Sequence, residues 1–194
     1  MPHLDNPLVD GRVGRVSYAE TARRVGVLVR LARFAPQIVG TPPLGIDIAT
    51  SDIDIVCHAD DTAVFATVVA CSFSEFNDFA IRQWIREPRS VIATFVAEGW
   101  RFEIFGDSRP LKEQPAYRHF LVERRLLRLG GRLLKRAVME ARAGGLKTEP
   151  AFAHVLQLSG DPYEAILALQ RETDACLLQR LMHWQDRNHG HTGI

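Results

Sequence analysis

The first third of the chain alternates between helical and extended hydrophobic patterns. The segment SYAETARRVGVLVRLARF opens with the serine-x-x-glutamate spacing of a capping box and continues with apolar residues at helical intervals, so it predicts a helix from about Tyr18 to Phe34. PQIVG then predicts a short strand that ends at Gly40, and SDIDIVCHA predicts a second strand after a proline-containing turn. Asp61 to about Phe73 has the pattern of a further helix.

The middle of the chain favours extended structure and the last third favours helices. β-Branched and aromatic residues predict strands near Val91–Ala97 and Trp100–Phe105, joined by a tight turn at Glu98 and Gly99. Beyond Pro110, four segments with helical spacing are separated by GG, GG and SGD breaks. The pattern predicts an α/β (α+β) core in residues 1–109, followed by an all-helical C-terminal region, residues 110–194, that packs on the core.

Composition limits the class of protein and its partners. The chain has 194 residues, of which 46% are hydrophobic and 24% charged, and this predicts one packed body with a sizeable core. A net charge of +1 gives no overall attraction for nucleic acid or anionic lipid. Three widely spaced cysteines lie in apolar sequence and predict reduced core thiols. No apolar run is long enough to span a membrane, so we expect a cytoplasmic protein.

Two aspartates inside the predicted second strand are the first candidates for chemistry. Side chains two residues apart on a strand project to the same face, so Asp52 and Asp54 should lie side by side while Ile53 and Ile55 face the other way. Two neighbouring carboxylates repel each other unless a positive group offsets their charge. An arginine partner or exposure to solvent at a strand end would relieve this repulsion. One or two magnesium ions, which prefer carboxylate oxygens, would do the same. From this short pattern alone both interpretations stay open.

The surroundings of the aspartates favour a phosphate-bearing ligand. A glycine lets a phosphate approach backbone N–H groups and a hydroxyl can add a hydrogen bond, and Gly40 and Thr41 supply both at the end of the first strand. Glu103, between apolar neighbours in RFEIF, offers the third acid that a two-metal site needs. The alternative for Glu103 is a solvent-exposed hairpin residue that pairs with Arg101.

Together these residues resemble the signature of the polymerase-beta-like nucleotidyltransferases. The match runs through one set of residues, spread over about Ile38 to Phe105: Gly40, Thr41, Gly45, Ser51, Asp52, Asp54 and Glu103. The rest of the chain resembles an uncharacterised bacterial branch of that superfamily, a domain of unknown function.

The resemblance implies a nucleotidyltransferase-type mixed sheet flanked by helices, and a magnesium-dependent transfer of a nucleoside monophosphate from a nucleoside triphosphate, with ATP favoured, to a hydroxyl-type acceptor. By that likeness Asp52, Asp54 and Glu103 would be catalytic and would hold one or two Mg²⁺ ions. Gly40, Thr41 and Ser51 would contact the nucleotide. The acceptor is open among a small molecule, a protein side chain and an RNA end, and the near-neutral charge favours the small molecule.

Two basic residues of the helical region are further nucleotide-binding candidates. Lys147 follows a double glycine and precedes a predicted helix start, and a lysine there can act as a point charge for phosphate or be an ordinary loop residue. Arg118 stands with His119 in the segment AYRH, at the start of a basic run that is most often a solvated helix face.

Two other functions compete with nucleotidyl transfer. Pro42 and Pro43 remove two N–H donors from the glycine turn, which favours a catalytically degenerate nucleotide- or partner-binding module with the same fold. DIDIV also fits the opening of haloacid-dehalogenase-like phosphatases, in which Asp52 would be the nucleophile. That chemistry needs a downstream pair of acids, and the adjacent pair in this chain, Asp60 and Asp61, follows the same strand.

Overall fold

The computed structural model describes residues 15–84, 86 and 89–189. The elements within these ranges follow in this order: α1 (Tyr18–Val25), α2 (Val27–Arg30), β1 (Gln37–Val39), α3 (Thr41–Leu44), β2 (Ile53–His58), α4 (Thr62–Phe73), β3 (Asn77–Trp84), β4 (Ser90–Ala97), β5 (Trp100–Asp107), α5 (Pro115–Ala143), α6 (Thr148–Leu156), α7 (Pro162–Ala168) and α8 (Asp174–His189). Three short 3₁₀ turns cover Ala32–Phe34, Leu111–Glu113 and Leu169–Arg171.

The five strands form one mixed sheet in the order β1-β2-β5-β4-β3. β2 and β5 run parallel, and the other neighbouring strands are antiparallel. The turn between β4 and β5 places Glu98 and Gly99 at φ of 49° and 76°, the left-handed backbone of a tight hairpin. The predicted α/β class, with a mixed sheet and a helical C-terminal region, is confirmed.

The two faces of the sheet have different partners because side chains alternate along each strand. Ile53, Ile55 and Ile104 are fully buried on one face, in a core shared with α1, α2 and α4. On the other face Val39 and Val56 pack against Phe120 of α5. This second face carries the charged positions of β2 and β5, so the helical region closes over them.

Several local predictions need correction. The predicted helix from Tyr18 to Phe34 breaks at Gly26, whose φ of 71° caps α1, although the capping-box serine does accept a hydrogen bond from the N–H of Glu20. The break predicted at the glycine pair near residue 130 is present: Gly131 has a non-helical φ of 59° and ψ of −152°, and two helical halves of α5 meet there at a kink. The prediction of core thiols is correct only for Cys57, since Cys71 and Cys176 are exposed.

The long helix α5 and the other helices of the described ranges show no segment with the length and apolarity needed to cross a bilayer. The proposed division between residues 109 and 110 falls between the end of β5 and the start of α5. It stays a prediction.

Candidate active site

Asp54 and Glu103 lie next to each other on the parallel strands β2 and β5. They are register partners, and they project from the sheet face opposite Ile53 and Ile55. Asp52, just before β2, and Arg101, on β5, are each two residues before one of these acids, so the alternation places them on the same face of the sheet. The structure therefore brings the acid of RFEIF to the second aspartate of SDIDI, as the sequence predicted.

The Asp54 carboxyl lies in an electrostatically unfavourable place for a charge. Burial, followed in order of size by the charges of Glu103, Asp52 and Glu149, raises the pKa of this carboxyl from 3.8 to about 7. Every group named in that balance raises the pKa, so none of them offsets the ionised form. A cation bound beside Asp54 would reverse this penalty.

The backbone of Gly40 lies against this carboxylate. Its φ of 75° and ψ of −157° suit glycine, and a Cβ at this position would lie 2.2 Å from Asp54 Oδ2. The absence of a Cβ thus lets the backbone at position 40 pack directly against the carboxylate. Pro42 and Pro43 follow in the first turn of α3, where helix N–H groups lack helical partners in any case.

The hydroxyls of Thr41 and Ser51 bond to each other. Thr41 Oγ1 donates to Ser51 Oγ over 3.0 Å, and Ser51 Oγ also accepts from the N–H of Ile48 at 2.9 Å. Thr41 lines the cleft described below, whereas Ser51 lies behind it and ties together the loop between α3 and β2. The nucleotide-binding roles of both residues stay predictions.

Asp52 is engaged with basic residues outside the cleft. Its Oδ2 lies 3.7 Å from Arg101 Nε. Burial raises the pKa of Asp52, and the charges of Arg101 and then Arg15 oppose that increase. Arg101 thus pairs with Asp52 rather than with Glu103, which was the alternative considered from the sequence.

The acids of the sheet open into a cleft of about 620 Å³ between the sheet and the helical region. The helical side of this cleft consists of α5, α6 and the start of α7, which contribute His119, Glu123, Lys147, Glu149 and Tyr163. Lys147, the predicted phosphate contact, is exposed at this wall and is also the N-cap position of α6. Gly40, Thr41, Asp54, Glu103 and Lys147 therefore share one cavity.

Arg109 also lines the cleft and is fixed by a buried acid. Asp107, at the end of β5, is fully buried and accepts hydrogen bonds from Arg109 Nε at 3.0 Å and Nη2 at 2.5 Å. The backbone N–H of Arg109 adds a third bond at 2.8 Å. The pair holds a guanidinium at the cleft wall in a fixed position.

Arg118 does not reach the cleft. Its Nε donates a hydrogen bond to Gln170 Oε1 at 3.0 Å. Two other arginines of the basic run, Arg125 and Arg128, pair with Asp174 at the start of α8. The nucleotide-binding role of Arg118 stays a prediction. The geometry does not support it, because these arginines of the basic run contact residues of neighbouring helices and turns.

The sequence reading missed Glu123, Glu149, Arg109 and Tyr163 as cleft residues. Glu123 carried a usable signal, because it lies three residues after Phe120 and three before Leu126 on the buried stripe of α5. An acid on such a stripe is unusual unless it has a partner. Glu149, in the first turn of α6, and Arg109, just after the end of β5, had no comparable signal.

The donor set suits a hard cation such as Mg²⁺. Asp54 and Glu103 supply neighbouring carboxylates, and no positive group is among the charges that act on Asp54. Within the described ranges, no three His, Cys, Asp or Glu side chains are already arranged as a metal centre. Asp52, the third predicted ligand, contacts Arg101. Asp54 and Glu103 are thus brought together, and the metal-binding roles of all three acids stay predictions.

A family model described as "Domain of unknown function (DUF4269)" matches residues 20–169. The chain belongs to this family. A search of curated proteins finds no match to this sequence. Comparison with proteins of known function therefore rests on solved structures.

Solved structures similar to this DUF4269 chain are nucleotidyltransferases. The Cid1 poly(U) polymerase with MgGTP bound has a TM-score of 0.51 and 13% identity, over 77% of this chain and 48% of that one. Another Cid1 structure, concerned with its RNA terminal uridylyl transferase activity, has a TM-score of 0.50 and 14% identity, over 78% of this chain and 48% of that one. The GLD-2/RNP-8 complex has a TM-score of 0.49 and 11% identity, over 88% of this chain and 78% of that one.

This chain spans about half the length of Cid1. At these identities the likeness shows the fold alone, and it confirms the nucleotidyltransferase-type fold expected from the resemblance. It gives no support to the phosphatase interpretation of DIDIV. The downstream acids which that interpretation needs are also placed elsewhere, since Asp60 is exposed and pairs with His58.

Proposed function

We propose that this chain is a magnesium-dependent nucleotidyltransferase. It would move a nucleoside monophosphate from a nucleoside triphosphate, with ATP favoured, to a hydroxyl-type acceptor and release pyrophosphate. One observation carries the proposal: Asp54 and Glu103 are register partners on the parallel strands of a nucleotidyltransferase-type sheet, and they face a cleft beside Gly40. A small-molecule acceptor, a bacterial origin and a cytoplasmic setting remain predictions.

The protein residues divide the work between phosphate, metal and acceptor. Asp54 and Glu103 would hold Mg²⁺, with Asp52 as a third ligand once it leaves Arg101. When bound, the metal compensates the charge on the α-phosphate and on the departing pyrophosphate. Gly40 allows the phosphates to approach the backbone, and Lys147 and Arg109 supply positive charge at the cleft wall.

In the transfer itself, the acceptor oxygen forms a bond to the α-phosphorus while the bond from that phosphorus to the bridging oxygen breaks. The electron pair leaves with pyrophosphate. Glu103 accepts the proton of the attacking hydroxyl, because it lies beside Asp54 on the sheet wall of the cleft. In-line positioning by the two walls would supply much of the acceleration.

A binding module with the same fold is the second candidate. Two observations favour it: Asp52 is occupied by Arg101, and the prolines of α3 offer no N–H to a phosphate. Such a module would bind a nucleotide or a partner without turnover.

Pyrophosphate release separates these two candidates. The purified chain is incubated with each nucleoside triphosphate, Mg²⁺ and a panel of hydroxyl acceptors, and pyrophosphate and the mass of the acceptor product are measured. An enzyme gives stoichiometric pyrophosphate and a nucleotidylated acceptor, and both fall by about 100-fold or more in Glu103→Gln. Lys147→Ala should raise the nucleotide KM, whereas Lys112→Ala, an exposed lysine of the Leu111–Glu113 turn, should not.

A wild-type chain that binds nucleotide but makes no pyrophosphate with any acceptor would favour the module. Equal turnover in wild type and Glu103→Gln would contradict the proposed site.

A further inference from the structure

The helical wall of the cleft carries a second acidic pair that the metal and phosphate roles leave unused. Glu123 of α5 is only 3% exposed, and its Oε1 has no hydrogen-bond partner. Glu149 of α6 lines the same cleft, with its side chain 21% exposed. The two carboxyls are close enough for the charge of Glu149 to raise the pKa of Glu123, which burial has already raised, to about 8. A buried oxygen without a partner is costly, and a ligand can relieve that cost.

His119 adds a third acceptor to this wall. Its Nε2 lies 3.0 Å from the carbonyl oxygen of Tyr163, and a carbonyl can only accept, so Nε2 carries the hydrogen. In the neutral ring Nδ1 is then a lone-pair acceptor, and it faces Glu149 Oε1 at 3.9 Å, beyond hydrogen-bonding distance. Glu123, Glu149 and His119 therefore present acceptors to a common space.

Arg142, the cation whose charge acts on Glu123, does not fill this need. Arg142 lies near Glu123 and its charge opposes the increase in the Glu123 pKa, but its Nη1 donates to the hydroxyl of Thr148 and its Nε is buried without a partner. Glu123 Oε1 remains unsatisfied despite that charge. The missing group is therefore a donor that enters from the cleft.

We propose that this wall binds a protonated primary amine of the acceptor, an inference that rests on the proposed nucleotidyl transfer. A primary ammonium carries one positive charge and three N–H donors, which match the acceptors of Glu123, Glu149 and His119. The amine is a recognition group, and the reacting hydroxyl lies elsewhere on the acceptor. The acids Glu123 and Glu149 disfavour a triphosphate beside them, and the phosphates of the proposed function lie instead by Lys147 and Arg109.

The same charges disfavour an RNA end as acceptor. An RNA brings a phosphate for every nucleotide, and such chains are usually held by Lys and Arg. Here the acceptor side of the cleft carries the acids Glu123 and Glu149, while the arginines Arg125 and Arg128 are paired with Asp174. A small cationic acceptor fits the wall and a polyanion does not.

Methylammonium is the smallest probe of this site and needs neither nucleotide nor metal. The ¹⁵N-labelled chain is titrated with methylammonium chloride at constant ionic strength, against sodium chloride and tetramethylammonium chloride, which lacks N–H groups. We expect saturable shifts at the amides of His119, Glu123 and Glu149 with methylammonium alone. Glu123→Gln should weaken this binding about tenfold. Glu140→Gln is the matched control, because Glu140 is an exposed acid on the same helix.

Three results would overturn the proposal: methylammonium shifts no larger than those of sodium chloride, saturable binding that persists unchanged in the Glu123→Gln, Glu149→Gln double variant, or Mg²⁺ that occupies the pair in place of the amine. Gln at position 123 keeps the shape of a protonated Glu, and melting curves of each variant verify folding.

Turnover distinguishes this inference from the proposed function. Pyrophosphate release is compared for amino alcohols and the matching diols. Turnover restricted to uncharged diols and unaffected by Glu123→Gln overturns the amine inference and leaves nucleotidyl transfer standing. Absence of turnover with every acceptor, together with methylammonium binding as above, overturns the proposed transfer and supports the amine site.

Discussion

Replacement of Asp54 by Asn should make the protein more stable at neutral pH. The pKa of this carboxyl is raised from 3.8 to about 7 in the folded chain. The folded state therefore holds a proton that the unfolded state releases, and the free energy of unfolding of the wild type falls as the pH increases from about 4 to about 7. At 1.4 kcal/mol for each tenfold change, this amounts to about 3 kcal/mol between about pH 4.5 and about pH 7.5.

Urea unfolding at both pH values measures the effect. Between about pH 4.5 and about pH 7.5, the free energy of unfolding of Asp54→Asn should increase by about 3 kcal/mol relative to that of the wild type, because an amide does not ionise. Other titrating groups, Glu123 among them, act in both proteins and cancel in the difference. Asp186→Asn, an exposed position on α8, should follow the wild type at both pH values.

An equal change in the wild type and Asp54→Asn across this pH range would refute the reasoning. It would mean that the carboxyl is solvated or already paired. Mg²⁺ supplies a second check on the same residue. Added metal should stabilise the wild type more at about pH 7.5 than at about pH 4.5, since it competes with the proton for Asp54. The Asp54→Asn variant should show no such difference between the two pH values.

The remaining predictions concern two supporting residues. Gly40→Ala should abolish turnover and lower the free energy of unfolding by about 2 kcal/mol or more, because its Cβ would meet Asp54 Oδ2. Gly99 also has a positive φ but open space around a Cβ, so the loss of stability in Gly99→Ala reports backbone strain alone. Equal losses in the two variants would contradict the predicted clash with Asp54. Arg109→Ala should cost about 3 kcal/mol in urea unfolding, because it leaves the buried Asp107 without its guanidinium; an unchanged midpoint would show that the backbone N–H alone satisfies Asp107.

Local sequence patterns were sufficient for β1, β2, β4 and β5 and for naming the two acids, but not for β3 or for the pairing of the acids. The alternation in SDIDI fixes which side chains share a face, and RFEIF places an acid in a strand of the same kind, so Asp54 and Glu103 could be named before their pairing was known. That they are register partners depends on β2 and β5 being neighbours. No local pattern shows that, and it came from the family resemblance.

The helical wall could not be predicted in the same way. His119, Glu123 and Glu149 meet because α5 and α6 pack over the sheet, and nothing in their spacing reveals this contact. Arg118 was predicted at the nucleotide from its position beside His119, yet neighbouring helix positions point about 100° apart, which turns Arg118 to Gln170. The glycine at position 26 interrupted a helix whose apolar pattern continued across it.

A crystal structure with Mg²⁺ and a non-hydrolysable ATP analogue tests the central claim most directly. The account predicts a metal ion within about 2.1 Å of carboxylate oxygens of both Asp54 and Glu103, with the triphosphate beside Gly40. It also predicts that Asp52 has moved away from Arg101. A metal ion and triphosphate bound without either Asp54 or Glu103 would contradict the account.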